Sequence, residues 1–274
     1  VAVLTAAQRT FVGMSKFSLT AIPFFILAGN IMNQGGIAKR LVNFVMAILG
    51  KLPGALLVTN VGTNALFGAI SGSASAAAAA VGSMIRDGAE EAGYDPALTA
   101  ATNAASAPSG LLIPPSNAMI TFSLAAGGTS VAALFMAGYL PGLIWALACA
   151  IVGVLLAVKK GYKGTPGKFS WSNLFKATLD AIPSLSLIVV VIGGIIGGIF
   201  SATEGSAIAV VYSLILAFCY KSVNLKSLWR IVVDSAKTSG MVVFLIGVSN
   251  ILGWVMAFMQ IPDAVAAALL GLTD

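Results

Sequence analysis

Apolar residues along this chain fall in long blocks separated by short polar or charged connectors, and that spacing predicts helices long enough to cross a membrane. The first block is Phe17 to Asn33 (FSLTAIPFFILAGNIMN), followed by a basic connector from Gly36 to Lys51. Leu52 to Ile85 is apolar but interrupted within GAISGSASA, where Ser71 to Ser75 has the composition of a helix breaker. A charged turn, RDGAEEAGYDP from Arg86 to Pro96, leads into Ala97 to Ala126, which is broken by Pro108, Gly110, Pro114 and Pro115. Val131 to Val158 is uninterrupted, Lys159 to Lys168 reads as a glycine-rich basic loop, and Trp171 to Asp180 as a short interfacial helix. Spans are predicted at Ala181 to Phe200, Gly205 to Tyr220 and Ser239 to Phe258, and Pro262 to Leu272 begins a further element. The short alternating segments of an outer-membrane barrel are missing.

Composition agrees with this pattern. Of 274 residues, 58% are hydrophobic and 9% charged, with a mean hydropathy of +0.99. A soluble domain carries about 25% charged residues, so the class is an all-α integral membrane protein. The net charge of +6 is spread singly or in pairs over short connectors, which is topological use of charge and gives no nucleic-acid surface. Cys149 and Cys219 sit inside apolar blocks and form no metal motif. The chain has no histidine, which removes His-based triads and most zinc or haem sites. Val1 is preceded by no initiator Met and no signal-peptide pattern, so the chain reads as a fragment of a longer polypeptide.

Charge asymmetry tests the interruption at Ser71 to Ser75. If Leu52 to Ile85 crossed the membrane once, the basic connectors would divide between the two faces. If it goes in and returns, Lys39, Arg40, Lys51, Arg86 and the basic residues from Lys159 to Lys237 share one face, leaving Arg9 and Lys16 on the other. The positive-inside rule makes the crowded face cytoplasmic and the interruption the tip of a hairpin. The returning arm, Ala76 to Ile85, is about 15 Å of helix, roughly half a bilayer core, which favours a re-entrant hairpin over two full spans.

Two breaks on consecutive elements, Ser71 to Ser75 and Ala107 to Ser116 (APSGLLIPPS), would strand backbone groups in lipid unless they line a wet cavity. Interrupted helices of this kind mark the substrate and ion sites of secondary transporters. Asn103 and Asn117 flank the second break and either offer oxygens to an ion or satisfy freed backbone groups. Glu204 lies between apolar blocks, but Ser201 three residues earlier makes a capping box the expected role. Asp95-Pro96 reads as an N-cap with Pro at the first helical position. Trp145, Trp171, Trp229 and Trp254 are read as packing or interfacial anchors. A short echo, FFILAGNIM (24–32) against FLIGVSNIL (244–252), pairs Asn30 with Asn250 in segments of opposite direction, as an inverted repeat would.

IPFFILAGNIM, LPGALLVTNVGTNALFGAISGSASA, GYDP with TAATNAASAPSGLLIPPSNAMI, and GGIFSATEGSAIAVVYSL together resemble the large, DctM-like membrane subunit of tripartite ATP-independent periplasmic (TRAP) transporters over nearly the whole chain. The resemblance implies an ion-transporter-superfamily fold of inverted repeats, each with a re-entrant hairpin and broken helices, working as an elevator in the bacterial inner membrane. It implies Na+ as coupling ion and no organic cofactor. The implied partners are a small DctQ-like membrane subunit and a DctP-like periplasmic binding protein, which would deliver a carboxylate-bearing organic acid such as a C4-dicarboxylate, sialic acid or sugar acid. By matching position, Ser71, Gly72, Ser73, Ser106, Pro108, Ser109 and Gly110 resemble a Na+ site. Ser73, Ser75, Asn103, Ser116 and Asn117 are the corresponding substrate-side candidates. Four regions follow: scaffold helix and connector (1–51), hairpin (52–86) with broken helix (96–126), scaffold and connecting helices (127–238), and the start of a second transport region (239–274). The second repeat is expected to continue past Asp274, and helices are expected before Val1. A non-transporting scaffold subunit is the alternative, and a membrane enzyme finds no acid-base constellation.

Overall fold

Ser, Asp and Asn side chains start most of the helices in this chain. Ser73, Asp95, Ser116, Ser130, Ser170, Ser201 and Asn224 each accept a hydrogen bond from a backbone N–H in the first turn of the helix that follows. Such caps satisfy donors that lipid cannot. The computed structural model describes residues 2–126, 129–164 and 170–271. Apart from a 3-10 turn at Phe17–Thr20, the described elements are α1 (Ala2–Met14), α2 (Ala21–Gln34), α3 (Ile37–Leu49), α4 (Ala55–Ser71), α5 (Ala74–Glu91), α6 (Pro96–Ser106), α7 (Ser109–Leu112), α8 (Asn117–Ala125), α9 (Val131–Lys159), α10 (Trp171–Ile196), α11 (Ala202–Cys219), α12 (Leu225–Phe258) and α13 (Ile261–Leu270). Among the described residues, α9, α10, α11 and α12 are long and apolar enough to cross a bilayer. Residues 3–34 make a fifth candidate span, bent by 60° between α1 and α2.

Several elements differ from the pattern reading. The connector Gly36 to Lys51 is largely the amphipathic helix α3, with Ile37, Ala38, Leu41 and Val45 buried. The hairpin turn is tighter than Ser71 to Ser75: Gly72 at φ 65° ends α4, and Ser73 already caps α5. The returning arm is 18 residues, not the short Ala76 to Ile85 segment, because the helix continues through Arg86 to Glu91. The two arms are therefore about 25 and 27 Å long, close to a full core thickness. Trp171 to Asp180 is not a separate interfacial helix; α10 runs unbroken through Pro183. Likewise α12 starts at Leu225 rather than near Ser239 and is 34 residues long. Of the predicted basic loop, Lys168 lies outside the described residues, as does Leu272 of the final element.

Packing divides the helices into two groups. α4 to α7 pack closely on one another, and α9 lies against α4, α6, α7 and α8. α1 and α2 pack on α12 and α11, and α10 packs on α11. α3 lies between the groups, against α4 on one side and α10 on the other. Phe25, Phe67, Leu57, Ile85 and Leu187 are fully buried in the shared core. Leu140, Leu143, Leu147, Ile151 and Leu155 of α9 are exposed, as a lipid-facing helix requires.

Two polar clasps hold the ends of these elements. Arg40 of α3 donates to Asp180 of α10 (3.0 Å) and to Gly36 O (3.0 Å), with its guanidinium 3.4 Å from the Tyr220 ring centre. At the hairpin base, Lys160 pairs with Asp95 (2.7 Å), the Tyr162 hydroxyl accepts from Asp95 N (2.9 Å), and the Tyr94 and Tyr162 rings stack at 4.3 Å. The Lys160 bond, with help from the Ala97 N–H, holds the Asp95 carboxyl below its ordinary range.

Candidate functional site

The tip of the hairpin and the break of the following helix meet. Asn117 N, at the start of α8, donates to Gly72 O (3.3 Å), and a β-carbon on Gly72 would stand 2.9 Å from Pro115 O. One turn below, Gly68 of α4 touches Gly110 of α7 backbone to backbone: a β-carbon on Gly110 would lie 2.6 Å from Gly68 Cα. Positive φ at Gly72 and the absence of side chains at Gly68 and Gly110 are what allow the approach. Gly29 of α2 closes the third side, with Ser71 O 3.3 Å from where its β-carbon would be.

The break itself is built from APSGLLIPPS. α6 ends at Ser106, α7 is a single turn, and Ile113 turns extended ahead of the cis Pro114-Pro115 pair. Ser109 donates to Ser106 O (2.7 Å) and Ser116 caps α8. From outside, Trp145 of α9 donates its indole N–H to Ala105 O (2.8 Å), satisfying a carbonyl near the end of α6.

Seven residues before Ser71, the buried amide of Asn64 forms a polar hub. Its Nδ2 lies 2.8 Å from Asn60 Oδ1, 3.0 Å from Asn103 Oδ1, 3.4 Å from Asn103 O and 2.8 Å from Ser106 Oγ, more acceptors than its two protons can serve. Asn60, Thr63 and Asn64 have no exposed surface. Asn64 Oδ1, Thr63 Oγ1 and Asn117 Oδ1 are buried oxygens without a hydrogen-bond partner. Asn60 Nδ2 is an unpaired donor in the same cluster, and orphaned buried polar atoms are costly, so these groups have room to take a water, an ion or a ligand.

The sequence candidates therefore divide. Gly72, between Ser71 and Ser73 at the tip, meets Pro115 O and Asn117 on either side of Ser116; Gly110 meets Gly68 one turn below, and Ser106, Pro108 and Ser109 form the adjoining turn. Ser73 is bound to Ser75 Oγ (3.1 Å), and Ser75 is exposed beside it. Asn103, beside the second break, donates to Ala78 O of α5 (2.9 Å) and accepts from Asn64 of α4, so it braces the two hairpin arms. Glu204 closes the capping box with Ser201, with the Ser201 N–H and hydroxyl both within 2.8 Å of its carboxylate. Asn60, Thr63 and Asn64 were not singled out by the pattern reading. Their signal was present in TNVGTN, where two asparagines four residues apart sit on one face of an apolar arm.

The chain matches the family described as "Tripartite ATP-independent periplasmic transporter, DctM component" over residues 2–274. It is 50% identical over 264 residues to the "Uncharacterized protein YgiK" of Salmonella typhimurium, covering 96% of this chain and 60% of that protein. It is 39% identical to the ectoine TRAP transporter large permease protein TeaC of Halomonas elongata, covering 97% of this chain and 62% of the relative. Identity to the C4-dicarboxylate TRAP transporter large permease protein DctM of Rhodobacter capsulatus is 38%, covering 95% and 62%. The chain thus spans about three fifths of the length of these relatives.

Proposed function

The chain belongs to the DctM component family of tripartite ATP-independent periplasmic transporters, a family of multi-pass membrane permease subunits rather than enzymes, and from that premise we propose that it forms part of a Na+-coupled permease for a carboxylate-bearing organic acid. The observation that carries the reading is the junction of hairpin tip and broken helix, with its Asn117 to Gly72 bond and buried neutral oxygens.

Neutral oxygens suit a hard monovalent cation. Among the described residues no three His, Cys, Asp or Glu side chains come together as a divalent metal would require. The fit to Na+ rests on the unpartnered Asn64 and Asn117 oxygens and on the helix-end carbonyls that the two breaks bring into the fold. Ser71, Gly72, Ser73, Ser106, Pro108, Ser109 and Gly110 would hold the ion, the C-terminal ends of α4 and α6 supplying negative dipole ends. Na+ held there would couple uptake to the Na+ gradient across the membrane. Ser73 and Ser116 sit at the N-termini of α5 and α8, where N–H groups and the positive dipole end favour a carboxylate. Ser75 and Asn117 extend that wall.

The two packing groups suggest what moves. α4 to α9, tied at the base by Asp95 and Lys160, would travel as one body against α1, α2 and α10 to α12, with α3 as the connecting arm. On this reading α9 would travel with the hairpin, although it also touches α10. Repeat symmetry is supported by the segments carrying the Asn30 and Asn250 echo. α2 and α12 are each followed by a residue with positive φ, Gly36 at 75° and Gln260 at 53°, and then by α3 and α13.

A small membrane subunit, a periplasmic binding protein and a bacterial inner-membrane location complete the reading. The test is uptake by the full-length permease with both partners in proteoliposomes. Uptake should require the binding protein and an inward Na+ gradient, and uptake that persists when choline replaces Na+ would overturn the coupling.

A further inference from the structure

We propose that the gap between α5 and α6 is a hydrated, cation-selecting passage from the charged base of the hairpin to the Asn60 and Asn64 pair, and that the ion held in the hairpin exchanges with the cytoplasm through it. The proposal rests on the permease reading above and adds a route to it.

The route is continuous in the structure. A cavity of about 490 Å³ lies between α5 and α6, with Arg86, Glu90 and Pro96 at one end and Ala78, Asn103 and Asn60 at the other. From Glu90 back to Ala78 is about 18 Å of helix, and from Pro96 to Asn103 about 10 Å, so the inner end stands well inside a bilayer core. Arg86 and Glu90 are exposed, and the base of the hairpin lies on the face that the positive-inside rule makes cytoplasmic. The inner end is the polar hub itself, since Asn60 Oδ1 and Asn103 Oδ1 both accept from Asn64 Nδ2, at 2.8 and 3.0 Å. Asn64, whose own Oδ1 has no partner, precedes the Ser71 to Ser73 tip by about 10 Å of helix.

The lining favours water, and the mouth favours a cation. Asn60 is fully buried and lines the cavity, yet its Nδ2 donates to no group of the protein. A donor at this depth is costly unless it meets water or a ligand. Thr99, on the α6 wall, gives its hydroxyl proton to Asp95 O (3.1 Å) and keeps its oxygen free to accept from water or face an ion. Gly82 leaves the room between the walls: a β-carbon there would collide with Asn103 Nδ2. At the mouth, the segment RDGAEE (86–91) sets Asp87, Glu90 and Glu91 against Arg86 alone. Arg86 pairs with Glu90 (2.9 Å), so Asp87 and Glu91 give the rim its sign on a face whose connectors are otherwise basic. The neighbouring groove between α6 and α9 is the contrast, lined by Leu98, Val152 and Leu156 with no charged side chain, as a lipid-facing groove is.

The experiment places a single cysteine, Ala78→Cys at the inner end or Thr99→Cys on the opposite wall, in the full-length permease with its small subunit, every other cysteine being replaced by serine. The probes are two methanethiosulfonates that do not cross a bilayer, one carrying a trimethylammonium and one a sulfonate, each rate being divided by its rate with mercaptoethanol. In inside-out vesicles the cationic reagent should label both sites severalfold faster than the anionic one. Ala101→Cys, in the apolar groove between α6 and α9, should stay unlabelled. No labelling from the cytoplasmic side, equal rates for the two charges, or equal labelling of Ala101→Cys overturns the passage. Complete labelling of Ala78→Cys by the cation should also slow Na+-driven uptake severalfold, with recovery in dithiothreitol; uptake that full labelling leaves unchanged overturns the route. Labelling needs no transport, so the two readings fail separately: Na+-driven uptake without labelling sinks the passage alone, whereas charge-selective labelling of a permease whose uptake ignores Na+ sinks the coupling alone.

Discussion

Gly110 of α7 and Gly68 of α4 face each other with no side chain between them, a β-carbon on Gly110 falling 2.6 Å from Gly68 Cα. Backbone stands on the far side of both contacts, so neither residue can accept a methyl by rotamer adjustment. Gly110→Ala and Gly68→Ala should each lower stability by about 1–3 kcal/mol or more and separate the hairpin from the broken helix. Gly88→Ala, in the same hairpin but with open space around it, should gain up to about 1 kcal/mol from helix propensity. Thermal melts of the three variants in detergent check the contrast; equal melting of Gly68→Ala and wild type would refute the close approach.

Asn64 links α4 to α6 through Asn103 and Ser106. Truncation leaves partners buried without a bond, which costs about 1–3 kcal/mol. Asn64→Ala should therefore destabilise more than Ser75→Ala at the exposed tip, measured by the same melts.

Arg40 combines an ion pair, a backbone bond and a ring contact in one side chain. Asp180 is half exposed, so the ion pair alone is worth under about 1 kcal/mol. Lysine keeps the charge but not the planar stacking or the forked donors. Arg40→Lys should thus lose most of what Arg40→Ala loses, about 1–2 kcal/mol if the ring contact dominates. A double-mutant cycle with Tyr220→Ala reports that coupling, and full retention of stability in Arg40→Lys would assign it to charge instead.

Asp95 titrates below its ordinary range because Lys160 bonds it first and the Ala97 N–H second. A carboxyl with a depressed folded value stabilises above the unfolded range and loses that contribution as pH falls through the folded value. Asp95→Asn keeps a capping side chain and removes the charge. Its deficit against wild type should be present at pH 7 and shrink as pH falls below the ordinary carboxylate range. A deficit that stays constant to low pH would show that the Lys160 pair contributes nothing.

Much of this architecture was legible in the chain because helix breakers act locally. Ser71-Gly72-Ser73 and Pro108 through Ser116 interrupt helices whatever surrounds them, and the breaks stand where those residues do. Helix ends read from charge were misplaced, since Arg86 to Glu91 and Lys226 to Lys237 mark where water begins and a helix can continue into water. The division at Asp180 was misplaced in the same way: α10 continues through that charge, and through Pro183, as one helix. The site's depth was harder to see. Asn60 and Asn64 are single polar residues in an apolar run, and only the packing of α6 on α4 shows what they face.

The central claim is that the tip at Ser71 to Ser73, seated on Asn117, holds Na+. Ser75→Cys in the full-length permease, with every other cysteine, Cys149 and Cys219 included, replaced by serine, allows the most direct test through its rate of alkylation by a small thiol reagent. Ser75 is exposed beside Ser73, so with the other cysteines gone labelling reports on the tip alone. The account predicts slower alkylation in Na+ than in choline at equal ionic strength, with the effect abolished by Gly110→Ala; identical rates in the two salts would contradict it.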